Sequence, residues 1–95
     1  MKAIEEGADD LVRRRKRLKF RSWHRGTKEM DLLLGPFADA CLDGFDAPQL
    51  AEYEAVLEVP EPDLYEWIMG RAVPPPDARC TVLDRLIAHY ADNAR

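Results

Sequence analysis

Ninety-five residues, 46% of them apolar and 34% charged, suffice for one modest hydrophobic core and are too few for two. That balance excludes a natively disordered chain, and no apolar run approaches the roughly 20 residues that cross a bilayer. The net charge of −4 hides an asymmetry: residues 1–28 carry ten Lys/Arg against four Asp/Glu, and residues 29–95 carry four against fourteen. A basic arm on an acidic body steers association with charged partners.

In chain order, residues 1–8 have little to anchor them and read as a flexible N-terminus ahead of a single helical domain over 9–95. This start is acidic and lacks an apolar core, so neither a secretory signal nor an intact mitochondrial transit peptide is expected. Asp9 or Asp10 is placed to cap a first helix ending near His24, with Leu11, Val12, Leu18, Phe20 and Trp23 as a sparse inward face. Arg13 to Arg17 fill about one and a half turns with like charge, which repels. This run reads as a solvated face.

Met30, Leu33, Leu34, Phe37, Cys41 and Leu42 fall at i, i+3, i+4, i+7, i+11 and i+12, one continuous helical stripe. Pro36 inside it removes a backbone donor, and a kink is expected rather than two helices, because the apolar phase is unbroken. Gly44 ends the helix. Asp46 with Gln49 three residues on is a capping pattern for a third helix, whose inward face is Leu50, Tyr53, Val56 and Leu57. Pro62 opens a short fourth helix with Leu64, Trp67 and Ile68 inward and Gly70 as its stop. After the stiff Pro74-Pro75-Pro76 connector, Asp77 is expected to cap a last helix with Cys80, Leu83, Ile87 and Tyr90 on one stripe. No alternating strand pattern occurs, so the fold class is all-α: a compact bundle of about five short helices.

Cys41 and Cys80 lie far apart inside apolar patterns and read as buried free thiols in a reducing compartment. His24 and His89 have no ligand set around them at metal spacing. No nucleophile–base pair and no glycine-rich phosphate loop is visible, so neither an enzyme nor a metal site is expected.

The informative stretch is Trp23-His24-Arg25-Gly26-Thr27-Lys28-Glu29-Met30-Asp31. Gly26 can take positive φ and end the first helix, and Thr27 can cap the second. Glu29 then stands in the first turn, where the helix dipole favours negative charge. Arg25 and Glu29 flank the glycine, which makes a docking corner more readily than an active site.

Arg25-Gly26-Thr27-Lys28-Glu29 resembles the R-G-x-x-E signature of the small succinate dehydrogenase flavinylation factors, and Pro62-Asp63-Leu64-Tyr65-Glu66-Trp67 resembles their later P-D-L-aromatic-x-W segment. The similarity runs from about Trp23 to about Ala88. It implies an assembly chaperone that binds the dehydrogenase's flavoprotein subunit, with fumarate reductase's flavoprotein as a further client. It also implies that covalent FAD attachment is the partner's own chemistry, at a histidine of that partner, with no cofactor held stably by the factor. Carried over by motif, Gly26 and Glu29 are the core of the contact, with Arg25 beside them; His24, next to Arg25 and exposed at the corner, is read from its position as a supporting contact. A soluble monomer of the bacterial cytoplasm, or of the mitochondrial matrix in a eukaryote, is the matching expectation. The runner-up is a nucleic-acid-binding or regulatory protein using Arg13 to Arg21, with Phe20 and Trp23 as stacking surfaces. It leaves the Arg25-to-Glu29 pattern unexplained, and nucleic acid is set aside as a partner.

Overall fold

The computed structural model describes residues 2–91, with side chains from Asp9 onward. Five α-helices follow one another: α1 (Lys2–Trp23), α2 (Lys28–Cys41), α3 (Ala47–Leu57), α4 (Glu61–Ile68) and α5 (Thr81–Ala91). Short 3-10 turns occupy Leu42–Gly44 and Pro76–Ala78, and no strand occurs among the described residues. The all-α expectation holds because every apolar pattern has the helical period. Two compact units divide the chain, Met1–Leu50 and Ala51–Arg95, with the boundary inside α3.

In the first unit α1 packs on α2. The helix begins at Lys2, so Asp9 and Asp10 are interior residues and not caps. The flexibility expected of residues 1–8 falls on Met1 and on side chains outside the described residues. Among the apolar residues expected to face inward, only Leu18 is buried; Phe20 is 64% exposed, Val12 45% and Trp23 36%. The inward stripe is instead Arg15, Leu18, Lys19 and Ser22, at i, i+3, i+4 and i+7. Arg15 Nη2 donates to the Phe45 carbonyl at 2.7 Å, and Lys19 Nζ bonds Asp43 Oδ1 at 2.9 Å. The buried Ser22 hydroxyl donates to the Leu18 carbonyl at 2.7 Å. Two members of the basic run are therefore structural, which hydropathy could not show.

α2 buries Met30, Leu34, Gly35, Phe37 and Ala38, while Leu33 and Cys41 are half-buried. It runs unbroken across Pro36 as one helix. The turn after it delivers Phe45, fully buried and edge-on to Phe37 at 6.3 Å. The expected capping pattern at α3 is present: Asp46 Oδ1 accepts from Gln49 N and Gln49 Oε1 from Asp46 N, both at 2.9 Å.

In the second unit Tyr53, Val56 and Leu57 of α3 and Leu64, Trp67 and Ile68 of α4 are buried as the spacing required, and α4 packs on α5. Pro60 caps α4, which places Pro62 second rather than first in the helix. α5 departs from expectation. Asp77 lies in the 3-10 turn, Arg79 is extended, and the helix starts at Thr81. Its first N–H groups are satisfied by Cys80 Sγ, which accepts from Leu83 N at 3.4 Å, and by Glu52 Oε1, which accepts from Val82 N at 3.0 Å. With the start shifted, Val82, Leu83 and Leu86 form the buried stripe, and Cys80, Ile87 and Tyr90 are half-buried. Both cysteines are free, but each is half-buried rather than buried.

Candidate functional site

The corner between α1 and α2 is tied at several points. Thr27 adopts extended backbone (φ −122°, ψ 147°), and its Oγ1 accepts from Met30 N at 3.3 Å, a side-chain cap that fixes where α2 starts. Gly26 sits at φ +125°, a region that side chains rarely enter, so the chain can turn there only at a glycine. Asp31 Oδ1 accepts from the Arg25 backbone N–H at 2.6 Å, pulling the loop back onto the first turn of α2. That N–H would otherwise be an orphan between two helices.

The three motif residues and their neighbour His24 are placed differently. Glu29 is exposed in the first turn of α2, beside the helix's positive end. Gly26 is exposed between it and α1. Arg25 is half-buried. His24 is exposed, stacked on Phe20 with ring centroids 4.0 Å apart and planes at 19°. Its Nδ1 donates to the Phe20 carbonyl at 2.7 Å, because a carbonyl can only accept. Phe20 and His24 thus form a flat exposed pair beside the glycine.

Three residues of this corner escaped the sequence reading. Nothing in the spacing of Asp31 or Asp39 marks them as acceptors for the Arg25 backbone N–H and the Trp23 indole N–H. Gly35 carried a usable signal: a glycine inside an apolar helical stripe calls for a packing reason. A side chain at Gly35 would overlap the Trp23 indole.

Elsewhere, a shallow cleft of about 290 Å³ in the second unit is lined by Glu52, Val56, Asp77, Arg79 and Cys80 among others. Burial, foremost, and then the Glu52 carboxylate push the Cys80 thiol above its usual range, although backbone N–H groups oppose this. That environment keeps the sulfur protonated, the opposite of an activated nucleophile. Among the described residues no group of three or more His, Cys, Asp or Glu could hold a metal ion, and no helix is long and apolar enough to cross a membrane.

The chain is a small all-α protein whose first two helices meet at an exposed corner, built on a positive-φ glycine and a threonine cap. Residues 16–90 match the family described as flavinator of succinate dehydrogenase. The chain is 43% identical over 79 residues to the FAD assembly factor SdhE of Acetobacter pasteurianus, covering 83% of this chain and 72% of that one. It is 34% identical over 90 residues to the mitochondrial succinate dehydrogenase assembly factor 2 of Dictyostelium discoideum, spanning 95% of this chain and 63% of that longer one. Identity to SdhE of Photobacterium profundum is 32% over 81 residues, 85% of this chain and 91% of the relative. No solved structure matches. The chain belongs to the succinate dehydrogenase flavinator family.

Proposed function

We propose that this FAD assembly factor meets the flavoprotein subunit of succinate dehydrogenase through its Trp23–Asp31 corner, with Gly26 and Glu29 at the centre and Arg25 and His24 beside them. The observation that carries the reading is Glu29: an exposed carboxylate on a helix turn fixed by Thr27, next to a glycine that lets another backbone come close. The factor does no bond chemistry. It binds the flavoprotein conformation in which FAD and the accepting histidine are aligned more tightly than the alternatives, which shifts the partner's population toward reaction.

FAD stays with the partner in this reading. The cleft in the second unit is at or below the low end of small-molecule sites, roughly 300–1,000 Å³. Its carboxylates, Glu52 and Asp77, have the wrong sign for a pyrophosphate, and its Arg79 is paired with Asp84 at 3.6 Å. A nucleic-acid role for the basic run is weakened, since Arg15 and Lys19 are engaged within the fold. The bacterial cytoplasm, or the matrix in a eukaryote, is the compartment that fits, and fumarate reductase's flavoprotein is a second client.

Glu29→Ala tests the proposal. Loss of a first-turn charge should cost the fold a few tenths to about 1 kcal/mol. Truncating one member of a buried interfacial charge pair costs roughly 2–5 kcal/mol of binding. The variant should therefore fold, yet fail to restore in-gel flavin fluorescence of the flavoprotein in cells lacking the factor. Full fluorescence from a stable Glu29→Ala protein would remove the corner from the mechanism.

A further inference from the structure

Asp31, Gly35 and Asp39 lie every fourth residue along α2, so they form one line on its surface. Each receives a part of the segment leading out of α1. Asp31 accepts from the Arg25 N–H at 2.6 Å. Gly35 lies under the fused bond of the Trp23 indole, where any Cβ would collide with Cδ2, Cε2 and Cε3. Asp39 Oδ2 accepts from Trp23 Nε1 at 3.2 Å. Trp23 is the last residue of α1, three positions before Gly26.

We propose that Gly35 and Asp39 are positioning residues: they clip the Trp23 indole onto α2 and so fix the exit of α1, which sets how Gly26 and Glu29 are presented to the flavoprotein. The inference rests on the reading of the corner given above. Two observations separate a clip from ordinary packing. Trp23 remains 36% exposed, so its ring is not filling the core; it lies against the α2 backbone at Gly35. Gly35 is buried in mid-helix without the positive φ that would demand glycine, although glycine there costs about 0.5–1 kcal/mol against alanine. The ring's seat is the reason for a glycine at that position. A tryptophan held by its face and its N–H has neither of its two side-chain torsions free, and the backbone it terminates is held with it.

The test uses the full chain and the purified apo-flavoprotein, with affinity, melting temperature and the Trp23 indole N–H resonance read for each variant; Trp23→Phe assigns that resonance against Trp67. Asp39→Ala should move the resonance and weaken flavoprotein binding roughly 3- to 10-fold, the range of one ordinary hydrogen bond. Asp39→Asn should restore most of both, because the amide oxygen still accepts. Gly35→Ala, which unseats the ring, should weaken binding more than Asp39→Ala does. Glu29→Ala is the control for the corner itself. If Glu29→Ala abolishes binding while Asp39→Ala and Gly35→Ala shift the indole signal and bind like the parent, the clip is overturned and the corner stands. Losses that follow melting temperature alone, with no rescue by Asp39→Asn, overturn the clip as well. If Glu29→Ala also binds like the parent, both proposals fall.

Discussion

Gly26 and Gly70 both take positive φ, at +125° and +75°, and both end a helix. Their surroundings differ. Around Gly70 the backbone closes on itself: Gly70 N bonds the Trp67 carbonyl at 3.1 Å and Arg71 N the Glu66 carbonyl at 2.9 Å. A Cβ there would meet nothing within 4 Å. The charged neighbours pair locally, Arg71 with Glu66 at 2.9 Å. Around Gly26 side-chain ties come from Thr27, the cap of the following helix, and from Asp31 within it, and they grip backbone N–H groups while Glu29 is left in water. A helix stop needs only the first arrangement. The second holds a polar tip rigid and exposed, which is what a partner can recognise at low entropic cost.

The largest expected effect probes whether the two units behave as one domain. Leu34→Ala and Leu64→Ala each empty a fully buried site, one in each unit, and should each cost roughly 2–5 kcal/mol. We expect both to lower a single cooperative melt, since a chain this short rarely supports two independent cores; separate transitions would divide it into two domains. Next in size is the glycine pair. Gly26→Arg and Gly70→Arg should each cost about 1–3 kcal/mol in backbone strain, read as a similar fall in denaturation midpoint. Only Gly26→Arg should also abolish flavinylation, and equal loss from both would erase the contrast between the corners. The smallest contrast lies within the basic run. Arg15→Gln removes the bond to the Phe45 carbonyl and should cost on the order of 1 kcal/mol. Arg13→Gln, whose exposed pair with Asp10 is worth little, should leave stability unchanged and at most slow flavoprotein association at low salt.

Much of the framework was legible because it is local. The helical period placed α2, α3 and α4. Thr27, Asp46 with Gln49, and Gly70 announced their caps and stops, since a cap depends on residues three or four apart in sequence. The R-G-x-x-E spacing is equally local, and its resemblance to the family's signature is what singles out Gly26 and Glu29 for the proposed contact. What failed was whatever a distant neighbour decided. Phe20 and Trp23 look like core residues until it is seen that Arg15 and Lys19 occupy the inward face by bonding Phe45 and Asp43, about 25 to 30 positions away. Asp77 looks like a cap, yet α5 draws an acceptor from Glu52, 30 residues upstream.

The sequence by itself therefore determined the helices and most of their ends, including the turn at Gly26 and the cap at Thr27, because those follow from backbone propensity and short-range hydrogen bonding. Only the tertiary structure decided which face of α1 turns inward, where α5 begins, and that Trp23 lies on Gly35 with its N–H on Asp39. Those outcomes depend on which donor meets which acceptor across tens of residues, and one-dimensional periodicity carries no record of that pairing.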